Sequence, residues 1–372
     1  MSEKKMDIYR ELQKHLDNMP IGYPPTESGV EVRLLKHVFT PEQAKLATKL
    51  SFLPEVLKKV YRRVKKNGIS SEELEKKLDE MYFEGLIHRA KMKNNQGVEE
   101  TFYFNAPLVI GIFEFQLNKL TKEFAKDFEQ YAEEAFGYEL NKTKIPQLRT
   151  VPINKSITPE MAIATYDDLK NFIETTEDVI GVQECICRQK KNLEGESCKK
   201  VKTNEVCFSF GFAAKSYQEK GLNRLLSKDE ALDIVRMAEK KGLVLQPSNS
   251  QVPILMCMCC GCCCEDLYNK KRMGVPADFF ATNFYAQVDR ELCNGCGTCE
   301  RRCQMEAVSL IDEKSVVDLD RCIGCGVCVP TCPEKAISLK KKDDQTVPPK
   351  NIIATYQAIL TKKAELARAE KS

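Results

Sequence analysis

Between Asp289 and Lys340 the chain reads CNGCGTCERRC from Cys293 and CIGCGVCVPTC from Cys322. Both runs are C-x2-C-x2-C-x3-C. Cys293, Cys296, Cys299 and Cys303 each have a counterpart 29 residues on, at Cys322, Cys325, Cys328 and Cys332. This is an internal repeat of one metal-binding half. Zinc sites favour paired C-x2-C units separated by longer loops, and a disulfide framework suits a small secreted domain. Four cysteines within eleven residues fit neither. Gly295, Gly297, Gly324 and Gly326 let the backbone take positive φ and come close, so that amide N–H groups can point at sulfur. Pro333 follows the last cysteine of the second run, and its counterpart in the first is Gln304.

The segment resembles a two-cluster [4Fe-4S] bacterial ferredoxin module. In that arrangement three thiolates come from a tight loop and the fourth opens the helix of the other half. The expected ligand sets are therefore crossed: Cys293, Cys296, Cys299 with Cys332, and Cys322, Cys325, Cys328 with Cys303.

A chain of 372 residues has room for two or three domains. Lys plus Arg number 57 and Asp plus Glu 54, a net charge of +3 that argues for neither nucleic acid nor an acidic membrane. No export signal is legible, and the longest apolar run, Ala106 to Phe115, is too short to span a bilayer. Eighteen cysteines at metal-ligand spacing then point to a reducing cytoplasm and a low-oxygen or anaerobic host. His15, His37 and His88 lie far from the cysteines, so any metal is held mainly by sulfur. Neither G-x-G-x-x-G after a strand nor G-x4-G-K-[ST] occurs, which leaves no nucleotide motif.

In chain order, Thr40, Pro41 and Gln43 predict a capped helix start, and Pro54–Lys66 carries a second helical pattern ended by Gly68. Ser70 and Glu73 cap a third helix that ends at Gly85. Alternating segments around Asn94, Asn95, Gln96 and Gly97 predict a β-hairpin. Three helices and a hairpin resemble a winged helix. DNA binding is nevertheless disfavoured, because the third helix carries Glu72, Glu73, Glu75, Asp79 and Glu80 against Lys76 and Lys77. Pro107 to Tyr138 is expected to be one long helix packed on the wing. A boundary is placed in the polar connector from Asn141 to Thr150.

The middle of the chain holds ten cysteines. A helix over Pro159–Thr175 precedes the strand-like VIGV, which delivers Cys185 and Cys187; Cys198 and Cys207 follow. Ser227 and Glu230 cap a helix ending at Gly242. The chain then enters CMCCGCCC, with Cys257, Cys259, Cys260, Cys262, Cys263 and Cys264. Adjacent side chains diverge, so these six cannot all reach one small site. The expected arrangement brings Cys185, Cys187, Cys198 and Cys207 against the run to build at least one additional iron–sulfur cluster. A four-thiolate zinc site and redox-active thiols are the alternatives. Arg188, Lys190 and Lys191 stand where cations offset cluster charge.

PIGYPPTESGVEVRLL, ECICR, NSQVPIL with CMCCGCCC, and DRCIGCGVC together resemble a family of anaerobe proteins described as 4Fe-4S ferredoxin-type iron–sulfur binding proteins. The likeness implies clusters and no defined substrate. The resulting expectation is an α+β multidomain protein. A winged-helix-like domain takes residues 1–145, a cysteine-rich domain 146–283, the two-cluster ferredoxin domain 284–342 and a polar helical tail 343–372. Its expected function is electron transfer between redox partner proteins. The rivals are a reductase with a substrate-binding cluster and a redox-responsive winged-helix regulator.

Overall fold

The structure, a computed structural model, describes residues 7–93 and 97–370. It mixes helices with several small sheets, and the chain divides into two compact units. One takes Met1–Lys142 with Glu219–Leu222, and the other Thr143–Gln218 with Asn223–Ser372.

In the first unit, α1 (Ile8–Asp17) and α2 (Val30–Val38) lead into α3 (Pro41–Ala47). There Thr40 and Gln43 form the reciprocal capping box expected of them. A short β1 (Glu55–Val56) opens α4 (Leu57–Val64), and Gly68 ends that stretch in the left-handed conformation. Ser70 accepts from the Glu73 amide at the start of α5 (Ser71–Glu84), which Gly85 terminates. Next, β2 (Ile87–Lys93) and β3 (Glu99–Asn105) pair antiparallel, and β1 adds to the far edge of β3. The turn expected at residues 94–96 lies outside the described residues.

Pro107–Tyr138 is not one helix. Leu108–Ile112 is a kinked turn in which Ile110 has φ of 57°. Its Gly111 amide donates to the Glu114 carboxylate at 2.9 Å. Regular helix starts only at α6 (Lys122–Tyr131), where the Thr121 hydroxyl accepts from the Phe124 amide. Periodic apolar residues upstream of that cap serve packing rather than helix. The α6 helix sits against α2, with Asp127 3.0 Å from Arg33. Phe128 stacks on Phe113 with centroids 4.1 Å apart. The short α7 (Gly137–Asn141) closes this unit.

In the second unit the helix expected over Pro159–Thr175 is confined to α8 (Leu169–Thr175), where Asp168 accepts from the Asn171 amide. The preceding residues make isolated 3₁₀ turns. A five-stranded antiparallel sheet follows, in the order β6-β4-β5-β8-β7. Its strands are β4 (Ile180–Glu184), β5 (Glu205–Phe210), β6 (Asn223–Leu226), β7 (Val244–Pro247) and β8 (Leu255–Cys259). Between them run α9 (Ile186–Leu193), α10 (Gly211–Glu219) and α11 (Lys228–Lys241). The Ser227–Glu230 capping box and Gly242 bound α11 as expected. Val182, Val206, Phe208, Phe210, Met256 and Met258 fill the core around this sheet.

After α12 (Glu265–Lys271), β9 (Phe284–Val288) pairs antiparallel with β12 (Ile337–Lys341). Between them lie α13 (Thr298–Arg302) and the hairpin of β10 (Val308–Ile311) and β11 (Lys314–Val317). The closing α14 (Ile352–Ala369) buries Ile352, Thr355, Tyr356 and Ile359. Tyr356 receives a hydrogen bond from Gln147 at 2.9 Å. No described helix is long and apolar enough to cross a membrane.

Candidate metal centres

The repeat builds two cavities. One is lined by Cys293, Cys296, Cys299 and Cys332. The other is lined by Cys303, Cys322, Cys325 and Cys328. Each therefore draws three cysteines from one loop and the fourth from the other half of the repeat.

Backbone amides reach the sulfurs in matched pairs. Ala307 N–H points at Cys303 Sγ at 3.2 Å, and Ala336 N–H at Cys332 Sγ at 3.3 Å. Ser315 N–H reaches Cys293 Sγ, and Ala286 N–H reaches Cys322 Sγ, both at 3.4 Å. Such donors stabilise thiolate. Gly295 and Gly324 occupy equivalent positions with φ of 72° and 63°. A Cβ would sit 2.2 Å from the Glu313 carbonyl oxygen in one case and 2.1 Å from that of Phe284 in the other. Only glycine lets these loops close on the backbone beside them. All-sulfur donor sets and amide N–H groups aimed at sulfur fit a cubane in each half.

The electrostatics of the halves differ. Cys296 is exposed, and its pKa is lowered mainly by the Thr298 hydroxyl and amide. That of Cys293 is lowered mainly by the Ser315 and Gly295 amides. In the other half, burial pushes Cys325 up to about 12 and raises Cys303 and Cys328. Gln304 differs from its counterpart Pro333 for a visible reason. It is 4% exposed, donates to the Gly242 carbonyl at 2.8 Å and accepts from the Gly261 amide at 2.9 Å. Gly261 comes so close that a Cβ there would stand 2.3 Å from the Gln304 carbonyl oxygen. The wall of the second cavity is thus clamped to the CMCCGCCC run.

The ten middle cysteines fall into two groups, and strand alternation starts the division. Cys257 and Cys259 lie on one face of β8, and Cys260 turns to the other. Cys207 on β5 is the cross-strand partner of Cys257. Cys185 and Cys187 open α9, and Cys264 precedes α12. Thiol contacts then close a ring: Cys185 touches Cys187 and Cys207, Cys264 touches Cys187 and Cys259, and Cys257 touches Cys207 and Cys259. Hydrogen bonds from their neighbours lower Cys185 well below the usual thiol range, Cys257 to about 5 and Cys264 to about 6. The three thiols between them are raised, chiefly by donating those bonds.

The remaining four, Cys198, Cys260, Cys262 and Cys263, have all their sulfurs within 4.8 Å of one another. Sequence reasoning placed all ten in one pool. The strand alternation at Cys257–Cys260 was the signal that could have divided them.

Residues 292–337 match the 4Fe-4S dicluster domain. The C-terminal part is an iron–sulfur, ferredoxin-type module, and the match spans both halves of the repeat. No curated protein and no solved structure matches the chain.

Proposed function

We propose that this chain is a multi-cluster electron-transfer protein of a reducing cytoplasm. Cys293, Cys296, Cys299 and Cys332 hold one [4Fe-4S] cluster, Cys322, Cys325, Cys328 and Cys303 a second, and the ring of six middle cysteines a further iron–sulfur cluster. The single observation that carries the reading is the pair of cavities, each walled by four cysteines of the repeat. When bound, such clusters supply one-electron redox chemistry at potentials set by hydrogen bonding and exposure.

The residues around them give the relay an order. Exposed Cys296 offers the outer contact for a redox partner protein. At the inner end, Gln304 and Gly261 tie the second cysteine set to the middle cysteines. The first unit, in which α3, β1, α4, α5, β2 and β3 follow one another in a winged-helix-like order, serves as a docking module. DNA is a poor partner for it, because Glu72, Glu75, Asp79, Glu80 and Glu84 line one open groove with Lys76.

Anaerobic iron and sulfide quantification with Mössbauer spectroscopy on the full chain tests this. More than about eight irons are expected, since two cubanes account for that number. Replacing Cys185 and Cys187 with serine should remove iron and leave the two-cubane signal. Zinc retention without charge-transfer absorption would refute the reading. Tight, salt-sensitive binding to duplex DNA would refute the docking role.

A further inference from the structure

The cysteines of the repeat stand around cavities, whereas Cys198, Cys260, Cys262 and Cys263 converge. Among the described residues no other trio of potential ligands comes together within 4.8 Å. Cys198 and Cys260 sulfurs are 3.7 Å apart, Cys260 and Cys262 3.5 Å, and Cys262 and Cys263 3.6 Å. Four sulfurs held about 2.3 Å from one central ion form a tetrahedron with edges of about 3.8 Å. The tetrad has the dimensions of a single ion's shell, and the cubane cavities do not.

How the chain makes the tetrad is visible locally. After β8 the backbone folds into a tight turn in which the Cys264 amide donates to the Cys260 carbonyl at 3.1 Å. That turn gathers Cys260, Cys262 and Cys263 on one side. Cys198 arrives from the loop between α9 and β5. Gly261, at the centre of the turn, is where Gln304 packs.

Charge supplies the second observation. Arg188 is 1% exposed, and its Nε and Nη1 have no hydrogen-bond partner. Its Nη2 lies 3.7 Å from Cys260 Sγ and 3.4 Å from the Met258 carbonyl oxygen. A cation is buried at large cost unless an anion faces it. Four neutral thiols provide none, but four thiolates around a divalent ion carry net negative charge.

We propose that Cys198, Cys260, Cys262 and Cys263 form a mononuclear tetrathiolate site for one thiophilic divalent cation, beside the iron–sulfur clusters and separate from them. Zinc suits it best, since it outranks iron(II) for such donors and accepts the tetrahedron without electronic preference. The ion would pin the 198 loop to the turn after β8, and so fix the surface on which Gln304 docks.

The test uses the full chain purified anaerobically, with zinc, iron and acid-labile sulfide measured on one sample. One equivalent of zinc is expected beside the cluster iron. X-ray absorption at the zinc edge should show four sulfurs at about 2.3 Å and no metal neighbour. Cys198→Ser, a change in a loop, should remove that equivalent and leave iron and sulfide unchanged. One equivalent of sulfide-free iron in the same four-sulfur shell would also support the proposal. The proposal is overturned if the wild-type protein contains no mononuclear metal, or if Cys198→Ser removes several irons together with sulfide. The zinc-edge measurement needs no variant, so a misfolded Cys198→Ser protein would not protect the proposal. Failure of the clusters to assemble would appear in iron and sulfide and leave the zinc result standing.

Discussion

The two halves of the repeat share every cysteine position, the amides that face sulfur and their closing glycines, and differ in the side chains around them. The half beginning at Cys293 has an exposed Cys296 and two hydroxyl neighbours. Thr298 is 3.4 Å from Cys296 Sγ, and Ser315 is 3.1 Å from Cys299 Sγ. At the equivalent place to Thr298 the other half has Val327, and the amide facing Cys322 belongs to Ala286 rather than a serine. The first run leads from Cys303 into buried Gln304, whereas the second leads from Cys332 into exposed Pro333. Spacing within a repeat decides which atoms can meet a cluster. The residues between the ligands decide whether that cluster faces solvent or the rest of the protein.

The hardest blow to this comparison comes through the crossed geometry. Cys332→Ser should remove about four irons, the cluster of Cys293, Cys296 and Cys299, and Cys303→Ser the cluster of the other loop. Electron paramagnetic resonance of each variant distinguishes them, because one environment is wet and the other buried. If each substitution silenced the cluster of its own loop, the two halves would be independent units and the cavities described above would have no bearing on ligation.

A smaller effect is expected at the position where the repeat breaks. Gln304→Ala leaves the Gly242 carbonyl and the Gly261 amide without partners in a buried place, a loss of about 1–3 kcal/mol. Pro333→Ala at the exposed counterpart should stay within about 0.5 kcal/mol. Anaerobic thermal melts of the two variants measure the difference. Equal effects would show that Gln304 is not a clamp.

Much of this was legible from residues alone. Thr40, Ser70 and Ser227 cap their helices as read, because a hydroxyl three residues before a free amide acts locally. The C-x2-C-x2-C-x3-C spacing led directly to a module that the family match supports. The failures came where local pattern and tertiary packing disagree. From Pro107 to Leu120 the apolar spacing looks helical, yet Ile110 adopts a left-handed conformation and Phe113 stacks on Phe128. Pro159–Asp167 has helical composition and forms only 3₁₀ turns, since Asp168 supplies the first durable cap. The division of the middle cysteines depends on cross-strand pairing of β5 with β8 and on a turn geometry, neither of which spacing encodes. The reason Gln304 stands opposite Pro333, its two buried partners, is likewise tertiary.

The finest test concerns tuning. Thr298 and Ser315 hydroxyls donate to cysteine sulfur once that sulfur is a thiolate, drawing electron density from it and favouring the reduced state. A difference between the two redox states of about 0.5–1.5 kcal/mol, the net scale of one hydrogen bond, is expected for each. With 59 mV per tenfold change for one electron, that corresponds to a shift of about 20–60 mV. Thr298→Val and Ser315→Ala should therefore each lower the potential of the cluster in the first half by that amount. The second half should not respond, because Val327 and Ala286 already stand at its corresponding places. Potentiometric titration followed by electron paramagnetic resonance resolves the two centres in one sample. A shift of both centres together would mean that the substitutions act through the general field of the module. A shift of the buried one alone would reverse the assignment of hydroxyl donors to the Cys293 half. If neither moves, the asymmetry between the halves resides in solvent exposure at Cys296 and not in the hydroxyls.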